Sequence, residues 1–303
     1  MRFLFLILLS FIFLNGNTQE ISLLKDSTEY SQINNPYFLD KNKKNILLIS
    51  KVSSYSISLL ALNQLWYADY PRSGFHFIND NREWLQMDKI GHMSASFYMG
   101  VAGIKAYEWA GFDRRKAIWY GGMTGSFFLT IIEVLDGTSK QWGASSGDLI
   151  ANTAGSFLAI GQALNWGEQR VQLKYSYMPT SWAIENPKQL GYNHAERALK
   201  DYNGQTYWVT FNIKSFFNIN RHNFPTWLSL ALGYGGEAMT QPYTREEDDF
   251  YRQYYVSFDI DLNKIKSKNK IVRSLLHTFG FLKIPMPALE FSNGNIFFHK
   301  LYY

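Results

Sequence analysis

The sequence predicts an α+β protein, with an N-terminal, membrane-associated four-helix bundle followed by an antiparallel β-sheet or small partial barrel. Three observations predict it. From about residue 45 to 166, apolar residues recur with helical spacing and include long uncharged stretches, Ala117–Ile132 and Leu149–Leu164. After residue 167 the apolar period changes to two, as in strands. The composition fits both halves: 46% hydrophobic and 17% aromatic, with only 18% charged residues against the roughly 25% usual in soluble domains. Such a chain of 303 residues is not disordered as a whole.

The elements follow in order. Arg2 precedes an apolar run from Phe3 to Leu14, with the small residues Gly16 and Thr18 beyond it, so residues 1–18 read as a secretory signal peptide. Residues 19–44 are polar and end in Lys41, Lys43 and Lys44, a tether. The helical domain spans 45–166, with helices near 46–66, 88–110, 114–135 and 146–166. Its uncharged stretches fall short of the roughly 20 residues of a full span. They are rich in small residues: Gly121 and Gly125 form a GxxxG pair, and Ala151 and Gly155 repeat the spacing. Small residues let helices approach closely inside membranes, where packing drives association.

The β-rich domain spans 167–303. Val171, Leu173 and Tyr175 alternate with Gln172, Lys174 and Ser176, and further strands are expected at 206–217, 226–238 and 250–265. In the last, Val256, Phe258, Ile260 and Leu262 share an apolar face. Ser257, Asp259, Asp261 and Asn263 share the other, expected to face water. A short amphipathic helix is expected over 271–282, then a hairpin turned by Asn293-Gly294. A full outer-membrane barrel needs about eight strands or more, so one copy is not expected to close one. Tyr207, Trp208, Trp227, Tyr254 and Tyr255 suit an interfacial belt or ordinary strand packing.

One polar constellation stands out against the apolar helices. Asp88 and His92 are four apart, hence on one helix face; Glu133 and Asp136 close the third helix; Asp148 and Asn152, again four apart, open the fourth. In an up-down bundle these positions fall at one end, and Arg114, Arg115 and Lys116 at the other. Asp88 suits a helix start, and Asp148 completes a capping box with Ser145. Glu133 and Asp136 sit in a last turn, where the helix dipole disfavours negative charge. Lys89, Lys140, protonated His92 or a bound cation is therefore expected to compensate them. The same six residues are the candidate catalytic set. Asp88, His92, Glu133, Asp136 and Asp148 are the candidate metal ligands, their hard oxygens suiting magnesium or calcium.

The run Asp88-Lys89-Ile90-Gly91-His92, then Glu133-x-x-Asp136, then Gly143 to Gly155 with Ser145, Asp148 and Asn152, resembles the YfiM-like family of predicted periplasmic lipoproteins, a domain of unknown function. It is more distantly similar to VanZ-like membrane proteins, although Asp136 stands where that family has Gln. The resemblance covers about 88–165 and implies an envelope location without an activity. The chain has no cysteine, so the lipid anchor of that family does not carry over. The β-rich half, including the segment from Lys200 to Trp208, looks like an extension seen in longer bacterial relatives.

Other chemistries find little support. Without cysteine there are no disulfides, thiolate zinc sites or Cys nucleophiles. Walker A, GxGxxG and HExxH motifs are absent, and a net charge of +5 does not indicate nucleic acid. The turn Ser145-Ser146-Gly147, within Gly143-x-Ser145-x-Gly147, reads as a helix N-cap, with a serine nucleophile beside His92 the alternative. The acidic run 246–249 reads as a solvated loop, with calcium binding the alternative. Lys264, Lys266, Lys268 and Lys270 read likewise, with contact to anionic head groups the alternative. The expected function is that of an exported, membrane-associated envelope protein, not an enzyme, whose Asp/His/Glu/Asn network is structural. Its expected partners are the lipid bilayer and an envelope protein or a second copy. The alternative is a divalent-cation-assisted membrane hydrolase or transferase acting on lipid-linked substrates.

Overall fold

The computed structural model describes residues 40–302, apart from 69, 218, 220–223 and 244–248. The expected signal peptide, residues 19–39 of the tether, and Glu246, Glu247 and Asp248 lie outside the described residues. The chain divides into two compact units, a helical one that takes residues up to 79 and 95–167, and a sheet one that takes 80–94 and 168–303.

In the helical unit, α1 runs over Lys41–Leu62 and continues through a π turn, Asn63–Tyr67. It starts five residues before the expected position because Asp40 caps it, accepting from the Asn42 and Lys43 N–H groups. The lysines read as tether are therefore its first turn. Helix α2 spans Met87–Trp109, its residues from Ala95 onward counting with this unit. The third helix is broken: a turn at Arg114–Lys116 capped by Asp113, a π turn at Ala117–Gly121, then α3 over Thr124–Gly137. Helix α4 is Ser146–Asn165. Two short parallel strands, β1 (Phe77–Ile78) and β2 (Ala144–Ser145), pair just before α4.

The small residues do what the GxxxG spacing predicts. A Cβ on Gly125 would lie 2.3 Å from the Ser96 carbonyl oxygen, and one on Gly121 would lie 2.4 Å from the Ile104 nitrogen. At these positions α2 and the third helix meet backbone to backbone. The interior of this unit joins apolar clusters, such as Ile104, Ile118 and Ile160, to buried polar groups, and part of its surface is apolar. Ser96, Ser126, Glu133, Asn152 and Ser156 are buried, whereas apolar stripes face outward. Tyr120, Phe127 and Val134 form one stripe, seven residues apart, and Ile150, Phe157 and Leu164 another. On α1, Ile49, Val52 and Leu60 are 64–70% exposed. Lys41–Leu62 and Arg114–Gly137 are long and apolar enough to cross a bilayer by length and composition.

The sheet unit holds six antiparallel strands in sequence order: β3 (Val171–Tyr177), β4 (Gln205–Asn212), β5 (Leu228–Glu237), β6 (Tyr251–Ile260), β7 (Met286–Ser292) and β8 (Asn295–Tyr302). Two expected strands end early. At Asn212 the side chain accepts from the Ser215 N–H and starts a short helix, Ile213–Phe217. At Asp261 another cap starts a 3₁₀ turn, Leu262–Lys264. The hairpin is as expected, its turn residues Asn293 and Gly294 both left-handed at φ 46° and 73°. Helix α5 covers His194–Lys200, and the amphipathic helix α6 covers Lys270–Thr278.

The sheet curls without closing into a barrel. Neighbouring strands lie about 4.8 Å apart, so strands several places apart touch only if the sheet bends. Yet the Tyr302 hydroxyl of β8 lies 3.0 Å from the Thr206 hydroxyl of β4, and Lys174 of β3 pairs with Asp259 of β6 at 2.6 Å. The inner side holds Trp208, Tyr255 and Tyr302 together with that ion pair, whose side chains are fully buried. Residues 281–283 hydrogen-bond along the edge of β3 through Tyr175. Lys283 then sits 4.9 Å above the Trp208 ring, where burial pushes its ammonium down to about 8.

The sidedness of β6 reverses the expectation. Ser257 and Asp259 are 4% and 0% exposed, whereas Val256 and Phe258 are 38% and 49% exposed. The face expected to be wet is the inner one. Of the aromatic residues expected at a belt, Trp208 and Tyr255 are core, while Trp227 and Tyr254 are exposed.

Candidate functional site

Asp88 and His92 occupy the first turns of α2 in the sheet unit, as their spacing requires. The His92 Nε2 lies 3.9 Å from Asp88 Oδ2, and the Tyr202 hydroxyl donates to Asp88 Oδ1 at 2.7 Å. Lys89 pairs with Asp80 at 2.6 Å and stands 3.6 Å from Asp88. His92 is buried and its neighbour Gly91 faces Tyr207, a Cβ there reaching to 2.8 Å of the hydroxyl. Three successive non-glycine residues, Trp84, Leu85 and Gln86, take left-handed φ values of 48°, 50° and 66° just before the helix. Such a turn is strained for L-residues and persists only where its surroundings hold it. Here the Trp84 N–H donates to the Pro242 carbonyl, the Tyr234 hydroxyl to the Leu85 carbonyl, and Arg252 to Gln86 Oε1. The sheet thus sets where α2 begins and where Asp88 stands.

Glu133, Asp136, Asp148 and Asn152 lie in the helical unit. The Ser145 hydroxyl accepts from the Asp148 N–H at 3.1 Å, as the N-cap of α4. In a capping box the residue three on would reach back to the Ser145 N–H. Instead Glu133 Oε2 accepts that donor at 2.9 Å from another helix. This answers the dipole problem at the end of α3, because the carboxylate rests on the positive end of α4. Asp136 is held separately by the Tyr67 hydroxyl at 2.8 Å. Asn152 is fully buried, and its carbonyl accepts from the Ser96 hydroxyl. Ser96 also meets the Ser156 hydroxyl at 2.9 Å, and Ser156 accepts from the Ser126 N–H at 3.1 Å.

Asp88 and His92 join Tyr202; Glu133 and Asp148 join through Ser145; Asp136 is bound to Tyr67, and Asn152 lies beside the serine seam. The Ser145 hydroxyl, the alternative nucleophile, caps α4 by accepting from the Asp148 N–H. Tyr202, Tyr67 and the seam Ser96, Ser126 and Ser156 were not expected from sequence. Tyr202 lies in the segment noted as an extension, and the serines are small polar residues in the uncharged stretches of their helices, the one signal that marks them.

Comparison with known proteins adds one finding. Residues 73–162 match the model of a family described as predicted periplasmic lipoproteins, DUF2279. The matched region holds all six candidate residues and covers less than a third of the chain. No curated protein matches significantly, and no solved structure does. The family match bears out the resemblance to predicted periplasmic lipoproteins and agrees with export to the cell envelope and membrane association.

Proposed function

We propose that this is a non-enzymatic, membrane-associated envelope protein, delivered by the signal sequence at residues 1–18. The helical unit is a four-helix bundle held in a bilayer, and the Asp/His/Glu/Asn set is a structural network. The observation that carries this reading is the outward-facing apolar stripes of the helical unit, around an apolar core that also holds a hydroxyl and carboxylate seam. In water such stripes are a liability, whereas lipid accepts them and close packing with buried hydrogen bonds holds the helices together. Glu133 supports the structural role, since its carboxylate completes a helix cap.

Membrane fractionation and metal analysis test the reading together. The chain is expected to sediment with membranes and to be released only by detergent. The purified protein is expected to hold no stoichiometric magnesium or calcium. Glu133→Gln keeps an acceptor for the Ser145 N–H but loses the charge at the helix terminus, so its melting temperature should fall modestly, by about 1 kcal/mol of stability. A monodisperse monomer without detergent overturns membrane insertion. A stoichiometric ion lost on Glu133→Gln or Asp148→Asn overturns the structural network.

A further inference from the structure

The sheet unit has a lipid-facing surface of its own. The outer residues of the strands align into rows across the sheet by register. Val209, Leu232, Val256, Leu289 and Phe298 stand opposite one another in one aliphatic row over five strands. On one side of it runs an exposed row of Tyr254, Phe291 and Ile296, and on the other Leu230 and Phe258, with Trp227 just beyond. Rows two residues apart make a band roughly 14 Å high, about one leaflet of a bilayer. Aromatic residues bordering an aliphatic band are the pattern of proteins seated in a membrane interface.

A second element points the same way. Helix α6 turns Ile271, Val272 and Leu275 outward, 70%, 43% and 51% exposed, while His277 of its polar face bonds Asn263 at 2.7 Å. A soluble protein would bury the other side. The helix is flanked by Lys266, Lys268, Lys270 and Arg273, cations beside an apolar helix face. That pairing complements anionic head groups over acyl chains and distinguishes a lipid surface from an apolar protein partner. It also follows β6 directly, at the end of the sheet where Phe258 and Trp227 lie.

We infer that the outer face of β5–β8 and the apolar face of α6 embed in one leaflet of an anionic bilayer, with Lys266, Lys268, Lys270 and Arg273 at the head groups. The inference does not depend on insertion of the helical unit, because the sheet unit carries its own apolar band and cations.

The absence of cysteine makes the test direct. Full-length protein with a single fluorophore at Phe258→Cys, Ile271→Cys, Ser257→Cys or Val52→Cys is reconstituted in phosphatidylglycerol-rich vesicles. Labels at 258 and 271 should be quenched by nitroxide lipids and shielded from iodide, and the inward-facing label at 257 quenched by neither. Reversing Lys266, Lys268 and Lys270 to Glu should weaken lipid quenching at 271 roughly tenfold or more on anionic vesicles and leave it unchanged on zwitterionic ones. Iodide access at 258 and 271 with lipid quenching at 52 overturns this inference and leaves the helical reading standing. The reverse pattern overturns insertion of the helices and sustains this one. Shielding at 258 from both quenchers, with energy transfer between copies, assigns the face to a second copy and overturns it.

Discussion

At the scale of single residues, the inner side of the sheet is where charge is most expensive to misplace. Lys174 and Asp259 are fully buried and pair at 2.6 Å, with Lys174 also donating to the Ile260 carbonyl and Asp259 accepting from the Ile284 N–H. Removing one partner leaves the other charge uncompensated in a low-dielectric interior. Lys174→Met should therefore cost about 3–5 kcal/mol, whereas adding Asp259→Leu to it should recover most of the loss. Thermal unfolding of both single variants and the double variant in detergent checks this: a double variant that loses the sum of the two single losses would mean that the pair is not coupled. The carboxylates of the helical unit follow the same rule. Glu133 is tolerable in the last turn of α3 because it takes an N–H from the start of α4.

At the scale of elements, what the sequence makes legible is periodicity, and what it hides is termini and sides. Helices α2 and α4 begin and end within one residue of the expected positions. Helix α1 begins earlier because one cap, Asp40, outweighs the polar composition of the residues after it. Asn212 and Asp261 cut two strands short in the same way, by offering backbone N–H groups a local acceptor in place of a ladder partner. The small-residue spacing proved informative, and it carries a prediction. Gly125 has no room for a methyl group against the Ser96 backbone, so Gly125→Ala must push α2 and α3 apart. Overpacking of this kind typically costs about 1–3 kcal/mol. Gly161→Ala, at an open position of α4, should be neutral or slightly stabilising and serves as the control. Equal melting temperatures for both variants would count against the close approach.

At the scale of the whole molecule, each unit taken by itself turns apolar residues outward and buries polar ones beside its apolar core. Period two separates the residues of β6 into two sets, but that alternation is symmetric and does not say which set is inner. The usual choice puts apolar residues inside, and here it fails. A better guide was present in the polar set itself: Lys174 and Asp259 carry opposite charges on strands of the same sheet, so each supplies what the other needs to be buried. The consequence is measurable. Leu232, Val256 and Leu289 lie side by side in the aliphatic row, 38–44% exposed, and make little of the inner core. Replacing all three by Thr, which keeps β propensity, should change stability in detergent by no more than about 0.5 kcal/mol per site. The same replacement should reduce the detergent or lipid bound by the sheet. Replacing the inner Ala231, Tyr255 and Ala288 by Thr should unfold it. If the outer set proved the more damaging, the inner and outer faces would have to be exchanged, and with them the reading of this sheet as a surface built for lipid.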